Sequence, residues 1–375
     1  MVMSILSPPT PPSRALMGDE RRFEPISLPC EWVEDYRPGG YHPVILGDVF
    51  NHQYKVIRKL GDGSYSTVWL AHDLNNNRYV ALKILVSDVS ESTTEIRILR
   101  HINQVAPVEG PQYTTQLLDE FEHHGPNGLH KCLVFEPMGP SVNTMVEELP
   151  QFKPRMQDMK VRYPPQMAKM ILKQSLQGLA FLYENGIAHG DFQPGNILFS
   201  LDDLDSTPEH LLLQEKDVEA RSISPSVQRL DGKPDKWAPQ YLCVAQPLAP
   251  FTPNTEAFKV KLSDMGGDDD HILALTAVLG PLPEELFQHW KTSSLYFTPE
   301  RKLFNCQIGG VDPGEEPLML EQTTMEDWFD QAGPDLGEEA HKVKTLIRWI
   351  LQYDPAKRPS PAEILSDPWF CAIDA

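Results

Sequence analysis

Residues 189–198 read HGDFQPGNIL, and this stretch with its surroundings decides the fold class. It follows Pro165–Glu184, whose apolar residues recur at helical spacing, and an Asn-Gly pair at 185–186 that is typical of a helix C-cap. Asp191 and Asn196 stand five residues apart, and apolar residues follow them as in a short strand. Helix, polar loop and strand in this order place two oxygen-bearing side chains on one loop. An Asx-rich turn without chemistry is the alternative.

A glycine-rich stretch, LGDGSYSTV at 60–68, lies upstream between two predicted strands. Gly61 and Gly63 would let the backbone approach a phosphate closely, which a side chain would block. Ser66 stands where such loops usually carry a third glycine. By itself the string is weak, because a glycine-rich hairpin turn looks similar.

A lysine and a glutamate follow at a spacing that could pair them. Lys83 ends the stretch VALK on the predicted strand Arg78–Leu85, 22 residues after Gly61, and Glu95 follows 12 residues later on a predicted helix at 91–103. The lysine could reach phosphates at the glycine turn, and a buried ion pair would hold it in place. Two unrelated surface charges are the alternative, which the order of turn, strand and helix disfavours.

The patterns along the chain predict an α+β protein with two lobes, because strand patterns precede helical ones. The predicted segments are a disordered Pro-rich lead (1–28), an extended arm (29–53), a β-rich N-lobe (54–136), the first part of a helical C-lobe (137–200), a polar spacer (201–257) and the rest of the C-lobe (258–375). A loop as long as the spacer is usually functional or partly disordered. Two further helices are predicted at 271–279 and 340–351.

Composition narrows the class of protein. The 375 residues carry a net charge of −20, which disfavours a direct nucleic-acid interface and favours basic partners, although a merely solubilising surface is the alternative. No apolar run reaches membrane-spanning length and no signal peptide is recognisable, so we expect no membrane association. Five scattered cysteines without a CxxC pair predict neither a disulfide framework nor a zinc site, and they fit a reducing compartment.

These stretches together resemble eukaryotic Ser/Thr protein kinases, and within them the SR-protein kinases. The resemblance covers about residues 29–372 and is carried also by VEDYRPGGYHPV (33–44), STVWLA (66–71), FEPMGPSV (135–142), DDDHI (268–272), YDPAKRPSPAEILSDPWF (353–370) and the long spacer. It implies a two-lobed kinase fold with an incomplete C-lobe. It also implies transfer of the γ-phosphate of ATP to Ser or Thr, often in Arg/Ser-rich proteins that acidic surfaces hold.

The resemblance implies a role for each motif residue. Asp191 would be the catalytic base and Lys83 would contact the phosphates, with Glu95 as its partner. Asn196 and Asp264, the latter in the stretch KVKLSDMGG at 259–267, would bind Mg²⁺. The residues around the nucleotide would be Leu60, Gly61, Gly63, Ser64, Val68, Ala81, Lys83, Glu136 and Asn196.

Three positions depart from the kinase pattern. Gly190 replaces an arginine that usually grips a phosphorylated activation loop, so control by loop phosphorylation is less expected. Gln193 replaces a lysine that usually touches the γ-phosphate, which predicts slower transfer. Directly after residues 264–267 the sequence continues with DDDHI, so the activation loop, the Ala-Pro-Glu motif and a long central helix, about 60 residues, are missing.

The missing stretch has predicted consequences for the C-lobe. We expect apolar surface to be exposed where the central helix would pack, and Arg358 to lose the glutamate that it would otherwise pair with, which is costly if the arginine is buried. An error in the gene model would explain the gap, and the intact flanking motifs favour it. A genuinely degenerate kinase is the other explanation.

The sequence therefore predicts a monomeric Ser/Thr protein kinase that uses ATP and Mg²⁺, acts on Arg/Ser-rich proteins, contacts neither nucleic acid nor membrane, and resides in the cytoplasm, the nucleus or both. A catalytically impaired pseudokinase that binds ATP or a partner as a scaffold remains the alternative. A misfolded, rapidly degraded product is a third possibility.

Overall fold

The computed structural model describes residues 21–90, 94–106, 112–153, 161–253, 258–265, 276, 279–290, 293–302, 325–332, 337 and 339–374. The chain falls into two units. The first comprises the residues up to Arg162 together with Gln193–Ser263, and the second comprises Tyr163–Phe192 together with the residues from Asp264 onward. The division into six segments drawn from the sequence is a different partition and stays a prediction.

A six-stranded antiparallel sheet, in the order β1-β2-β3-β4-β6-β5, forms the frame of the first unit. Its strands are β1 (Val49–Phe50), β2 (Tyr54–Gly63), β3 (Ser66–Asp73), β4 (Arg78–Leu85), β5 (Leu117–Gly125) and β6 (Gly128–Phe135). The two strands predicted on either side of the glycine-rich stretch, β2 and β3, are confirmed, and β4 has the predicted bounds. The run KCLVFE at 131–136, whose apolar residues predict a buried strand, lies largely in β6. Strand β5 was not predicted, because most of its residues are only half-buried and its polar and apolar residues do not alternate cleanly.

Alternate strand residues face opposite sides of this sheet. On one side Val56, Trp69, Leu82 and Val134 are buried in the largest core cluster. The other side is covered in part by helix α1 (Thr94–Val105), which was predicted from the sequence. Its apolar residues pack on β5 and β6. The predicted start of this helix, residues 91–93, lies outside the described residues.

The arm packs over the first face of the sheet. Val44 and Leu46 belong to the same core cluster as Trp69. Residues 21–28, which the sequence assigns to a disordered lead, are also described and packed. Phe23 is 1% exposed, and Arg22 Nε lies 3.0 Å from Glu34 Oε2 in a buried ion pair.

Residues 201–253 of the predicted spacer also pack on the sheet. This segment runs beside β2, where Arg58 Nε donates to the Leu212 carbonyl at 2.7 Å, and the Gln214 amide donates to the Ile57 carbonyl at 3.0 Å. Its buried apolar residues, among them Leu212 and Leu248, cover part of the second face. Apart from a four-residue helix at Glu209–Leu212 and a 3₁₀ turn at Ala249–Phe251, the segment is irregular, so no sequence period reveals its packing.

A second, three-stranded sheet completes the first unit. Its order is β7 (Met138–Ser141), β8 (Ile197–Ser200) and β9 (Val260–Leu262), all antiparallel. Helix α2 (Val142–Glu148) follows β7 and is capped by the Ser141 hydroxyl, which accepts from the Thr144 amide at 3.3 Å. Strand β8 confirms the short strand predicted after Asn196. The stretch KVKLSD, which predicts a strand that ends near Asp264, contains β9, whereas β7 was not predicted because it contains glycine and proline.

Helices form the second unit. They are α3 (Pro165–Glu184), α5 (Glu284–Phe287), α6 (Met325–Ala332), α7 (Glu339–Ile350), α8 (Pro361–Leu365) and α9 (Pro368–Cys371), while α4 (Glu209–Leu212) is the short helix of the spacer in the first unit. Helix α3 has the predicted bounds, and Gly186 ends it with a φ of 69°. The predicted helix at 340–351 is α7, and that at 271–279 lies mostly outside the described residues.

Packing in the second unit is uneven. Leu176 of α3 is buried against Ile364 of α8 and Phe370 of α9. In contrast, none of the residues of α7 is buried, and Trp349 is 39% exposed. The expectation of exposed apolar surface where a central helix would pack stays a prediction, because residues 266–275 and 303–324 lie outside the described residues. Among the described residues, no helix is long and apolar enough to cross a membrane.

Candidate nucleotide and catalytic site

The glycine-rich stretch forms the hairpin between β2 and β3. Gly63 pairs with Ser66 and Gly61 pairs with Val68, which leaves Ser64 in the exposed turn. A Cβ atom built on Gly61 or Gly63 would meet no atom within 4 Å, so the space beside the hairpin is open. Neither Gly61 nor Gly63 has a positive φ. Glycine at these two positions therefore allows a ligand to come close to the backbone, and no unusual backbone conformation requires it.

Lys83 and Glu95 form the predicted ion pair. Lys83 Nζ lies 2.8 Å from Glu95 Oε1, and the two side chains are 13% and 21% exposed. Lys83 is held on β4 between Val68 of β3 and Leu133 of β6. Glu95 lies in the first turn of α1. Partial burial strengthens the attraction between the two charges and leaves the ammonium in reach of a ligand.

The predicted apolar neighbours of the nucleotide lie near this lysine. Val68 is its cross-strand partner, and such partners share a face of the sheet. Ala81 is two residues earlier on β4, on that same face, and is buried. Leu60 is half-buried beside the core cluster that contains Leu70. The sheet thus presents small and aliphatic side chains beside an ammonium group.

Glu136 lies between β6 and β7, and its side chain accepts hydrogen bonds from two other residues of the chain. Its carboxylate accepts from Lys261 Nζ at 2.7 and 2.9 Å and from the Gln116 amide at 3.0 Å. Any contact of Glu136 with a nucleotide would therefore come from its backbone. Lys261 was not identified from the sequence, because its partner is 125 residues away along the chain.

Asn196 is placed by the pairing of β8 with β9. It ends a 3₁₀ turn at Pro194–Asn196, and its carbonyl accepts from the Ser263 amide at 2.9 Å and the Ser263 hydroxyl at 3.1 Å. Asp264 follows Ser263 directly in the chain. The backbone hydrogen bonds therefore hold Asn196, one predicted metal-binding residue, beside Ser263, which directly precedes the other, Asp264.

Asp191 and Asp264 belong to the second unit, whereas Lys83, Glu95 and Asn196 belong to the first. Asp191 is half-buried, and its amide donates to His189 Nδ1 at 3.3 Å.

The backbone beside both acidic residues is unusual. Gly190 has a φ of 83°, a conformation that strains residues with a Cβ, which is a physical reason for glycine where related loops carry arginine. Asp264 has a φ of 56° and is exposed, whereas Met265 beside it is buried. Aspartate is among the residues that best tolerate this left-handed conformation.

The two other departures from the kinase pattern are also visible. Gln193 is exposed, immediately before the turn that contains Asn196. Arg358 is exposed as well, and its Nε donates to the Gln352 carbonyl at 2.6 Å. The expected cost of a buried cation without its glutamate does not arise, because water reaches this guanidinium. Residues 266–275, where the missing segment would begin, lie outside the described residues.

Taken one by one, the side chains suit phosphate and a divalent metal ion. An ammonium group beside an open glycine hairpin suits phosphate oxygens, and the amide of Asn196 and the carboxylate of Asp264 are the hard oxygen ligands that Mg²⁺ prefers. Within the described residues, no group of three or more His, Cys, Asp or Glu could hold a metal ion.

Comparisons with known proteins agree with this geometry. The model of the family described as "Protein kinase domain" matches residues 54–206. Serine/threonine-protein kinase SKY1 of Saccharomyces cerevisiae is 34% identical over 224 residues, which are 56% of this chain and 29% of that protein. SRSF protein kinase 3 of Sus scrofa is 37% identical over 210 residues, which are 53% of this chain and 34% of that protein. The chain thus spans about a third of the length of these two relatives.

Another relative matches over nearly its full length. Serine/threonine-protein kinase SRPK of Physarum polycephalum is 28% identical over 414 residues, covering 92% of both chains. A solved kinase domain covers 88% of this chain and 98% of its own length, with 18% identity and a TM-score of 0.48. The matched family model, the three named relatives and the ordered motifs confirm the predicted kinase fold class, and the chain is similar to SR-protein kinases among the Ser/Thr protein kinases.

Proposed function

We propose that this chain transfers the γ-phosphate of ATP to Ser or Thr hydroxyls of Arg/Ser-rich proteins. The observation that carries the proposal is the 2.8 Å Lys83–Glu95 ion pair beside an open glycine hairpin. Such a pair holds an ammonium group ready for phosphate oxygens before the ligand arrives. Phosphoryl transfer depends mostly on positioning and charge stabilisation, so preorganised charge is the feature that such a reaction needs.

Each residue has a distinct task in the proposed reaction. Lys83 binds phosphate oxygens, and Asn196 and Asp264 would hold Mg²⁺, which would supply positive charge against the charge that develops during transfer. Asp191 orients the substrate hydroxyl and accepts its proton as the new oxygen–phosphorus bond forms and the bond to ADP breaks. Gln193 contributes a neutral amide where related loops carry an ammonium group, so the rate is expected to be modest.

Two observations support basic substrates. The net charge of −20 attracts basic chains and raises their rate of encounter. In addition, one relative is named as a kinase of SRSF proteins.

The test is transfer of labelled phosphate from ATP to an Arg/Ser repeat peptide by the purified 375-residue chain. Asp191→Asn should lower the rate by about 10²- to 10⁴-fold, the usual contribution of acid–base catalysis. Asp202→Asn is the matched control, since Asp202 is an exposed spacer residue outside the motifs, and its rate should equal that of the wild type. An Ala/Arg repeat peptide should receive no phosphate.

Two results would contradict the proposal. One is the absence of transfer by the wild type, and the other is transfer that Asp191→Asn leaves unchanged. If ATP raises the unfolding temperature of a chain that transfers nothing, the pseudokinase alternative is the better description.

A further inference from the structure

The arm contacts the glycine hairpin directly at its tip. The Tyr41 hydroxyl donates to the Gly63 carbonyl at 2.7 Å. Tyr41 is 5% exposed, and its ring lies 5.6 Å from that of Tyr36, which is itself 1% exposed. Gly63 is exposed, and it ends β2 at the turn. A packed side chain of the arm therefore holds the end of β2, while the turn itself is held where the Tyr65 carbonyl accepts from the Val86 amide at 2.9 Å.

A second contact joins the arm to the base of the hairpin. The Lys59 side chain is completely buried and forms an ion pair with Glu31 of the arm, which is 1% exposed. Lys59 Nζ also lies 2.8 Å from Asp62 Oδ1. Burial lowers the pKa of Lys59, but the two carboxylates outweigh this effect and raise the pKa overall, so the ammonium stays charged.

These contacts have a consequence for a phosphate ligand. Asp62 lies between Gly61 and Gly63, so its negative charge would oppose a bound phosphate. The ion pair with Lys59 offsets that charge. Glycines give the hairpin many alternative conformations, and the Tyr41 hydrogen bond selects among them before a ligand binds. Preorganisation of this kind raises affinity because less freedom is lost on binding.

We propose that Tyr41 and Glu31 are positioning residues, through which the arm fixes the glycine hairpin and so sets the affinity for nucleotide. The inference rests on the proposed function in one respect, namely that the ligand of the hairpin is ATP or ADP. Neither residue touches the reacting atoms, so the arm should govern nucleotide binding more than the rate of transfer itself.

The test is Tyr41→Phe, with Tyr54→Phe as a matched control. Tyr54 is 1% exposed, its ring stacks on Phe121, and its hydroxyl donates to Asp119 Oδ2 at 2.7 Å, away from the hairpin. Each variant loses one hydroxyl from a buried ring. Tyr41→Phe should raise the KM for ATP and the Kd of Mg·ADP about threefold to tenfold, the range expected for one hydrogen bond, while kcat changes less than about twofold. Tyr54→Phe should change neither constant.

A readout without nucleotide completes the experiment. Amide hydrogen exchange at residues 61–66 of the free protein should be faster in Tyr41→Phe than in the wild type or in Tyr54→Phe. If the wild type transfers no phosphate but the Kd of Mg·ADP rises as expected, the inference stands and the kinase proposal fails. If the wild type binds no nucleotide, the inference is overturned whatever the exchange comparison gives. Unchanged exchange, or equal effects of the two variants, would overturn the inference.

Discussion

Acidification should destabilise the first unit through three packed histidines. The His42 ring of the arm lies 4.6 Å from that of His123 and 5.0 Å from that of His130. The latter two are cross-strand partners on β5 and β6. Burial, together with the neighbouring histidines, lowers the pKa of His42 to about 3. Burial is also the main cause that lowers the pKa of His123 and of His130.

The sign and size of the effect follow from proton linkage. A histidine in an unfolded chain has a pKa of about 6.5, so below that pH the unfolded state binds a proton that folded His42 does not. Stability is therefore full above about pH 6.5 and falls as the pH decreases towards the folded pKa. With a folded pKa of about 3, a change from about pH 7 to about pH 5.5 removes about 1.2 kcal/mol through His42 alone. His123 and His130 act in the same direction.

The assay is urea unfolding of the wild type and of His42→Phe at both pH values. Within the described residues His42 Nδ1 has no hydrogen-bond partner, so phenylalanine removes the titration without removing a bond at that atom. When the pH is lowered from about 7 to about 5.5, the free energy of unfolding should fall by about 1.2 kcal/mol more in the wild type than in His42→Phe. His124→Gln, a change at an exposed neighbour, and Asp48→Asn should both leave the wild-type difference intact apart from a small effect through His123, whose pKa His124 lowers and Asp48 raises. Equal pH dependence in the wild type and His42→Phe would refute the reasoning.

Three further changes test the site and its support. Lys83→Met should lower the rate of phosphate transfer by about 10²- to 10³-fold, because a preorganised charge is lost. Lys357→Met, a change at an exposed lysine, should leave that rate unchanged, and equal rates in the two variants would exclude the proposed role of Lys83. Glu31→Gln should lower the free energy of unfolding by about 3 kcal/mol in urea titrations, and combining it with Lys59→Met should recover part of that loss, since the buried cation is then gone. Gln214→Ala should cost about 2 kcal/mol, because its side chain makes three hydrogen bonds to backbone groups; unchanged stability would show that the spacer does not brace β2.

The elements that the sequence predicted are those with a strong local pattern. Helix α3 has the predicted bounds because its apolar residues keep helical spacing over five turns and Gly186 supplies the positive φ that ends it. The pairing of Lys83 with Glu95 was also predictable, since strand, helix and charge stand in a fixed order over a short stretch of chain. The roles assigned to the site residues remain predictions, because they concern a ligand.

Elements whose stability comes from distant neighbours were not predicted. Strand β5 has a weak polar–apolar alternation and is held by its pairing with β6. The spacer carries its buried residues at irregular intervals, and each packs at a different place, so no period appears in the sequence. Phe23 is also buried by distant neighbours, although it lies in a segment whose composition predicts disorder.

By itself the sequence determined the kinase fold class, the glycine hairpin and the identity of the charged residues around it. Only the tertiary structure decided how that hairpin is held. Lys59 has the sequence context of an ordinary surface lysine, yet its ion-pair partner Glu31 lies 28 residues away, and Gln214, which bonds its amide, lies 155 residues away. The physical reason is that burial and desolvation depend on which distant segments fold against a residue, and a local pattern carries no record of them.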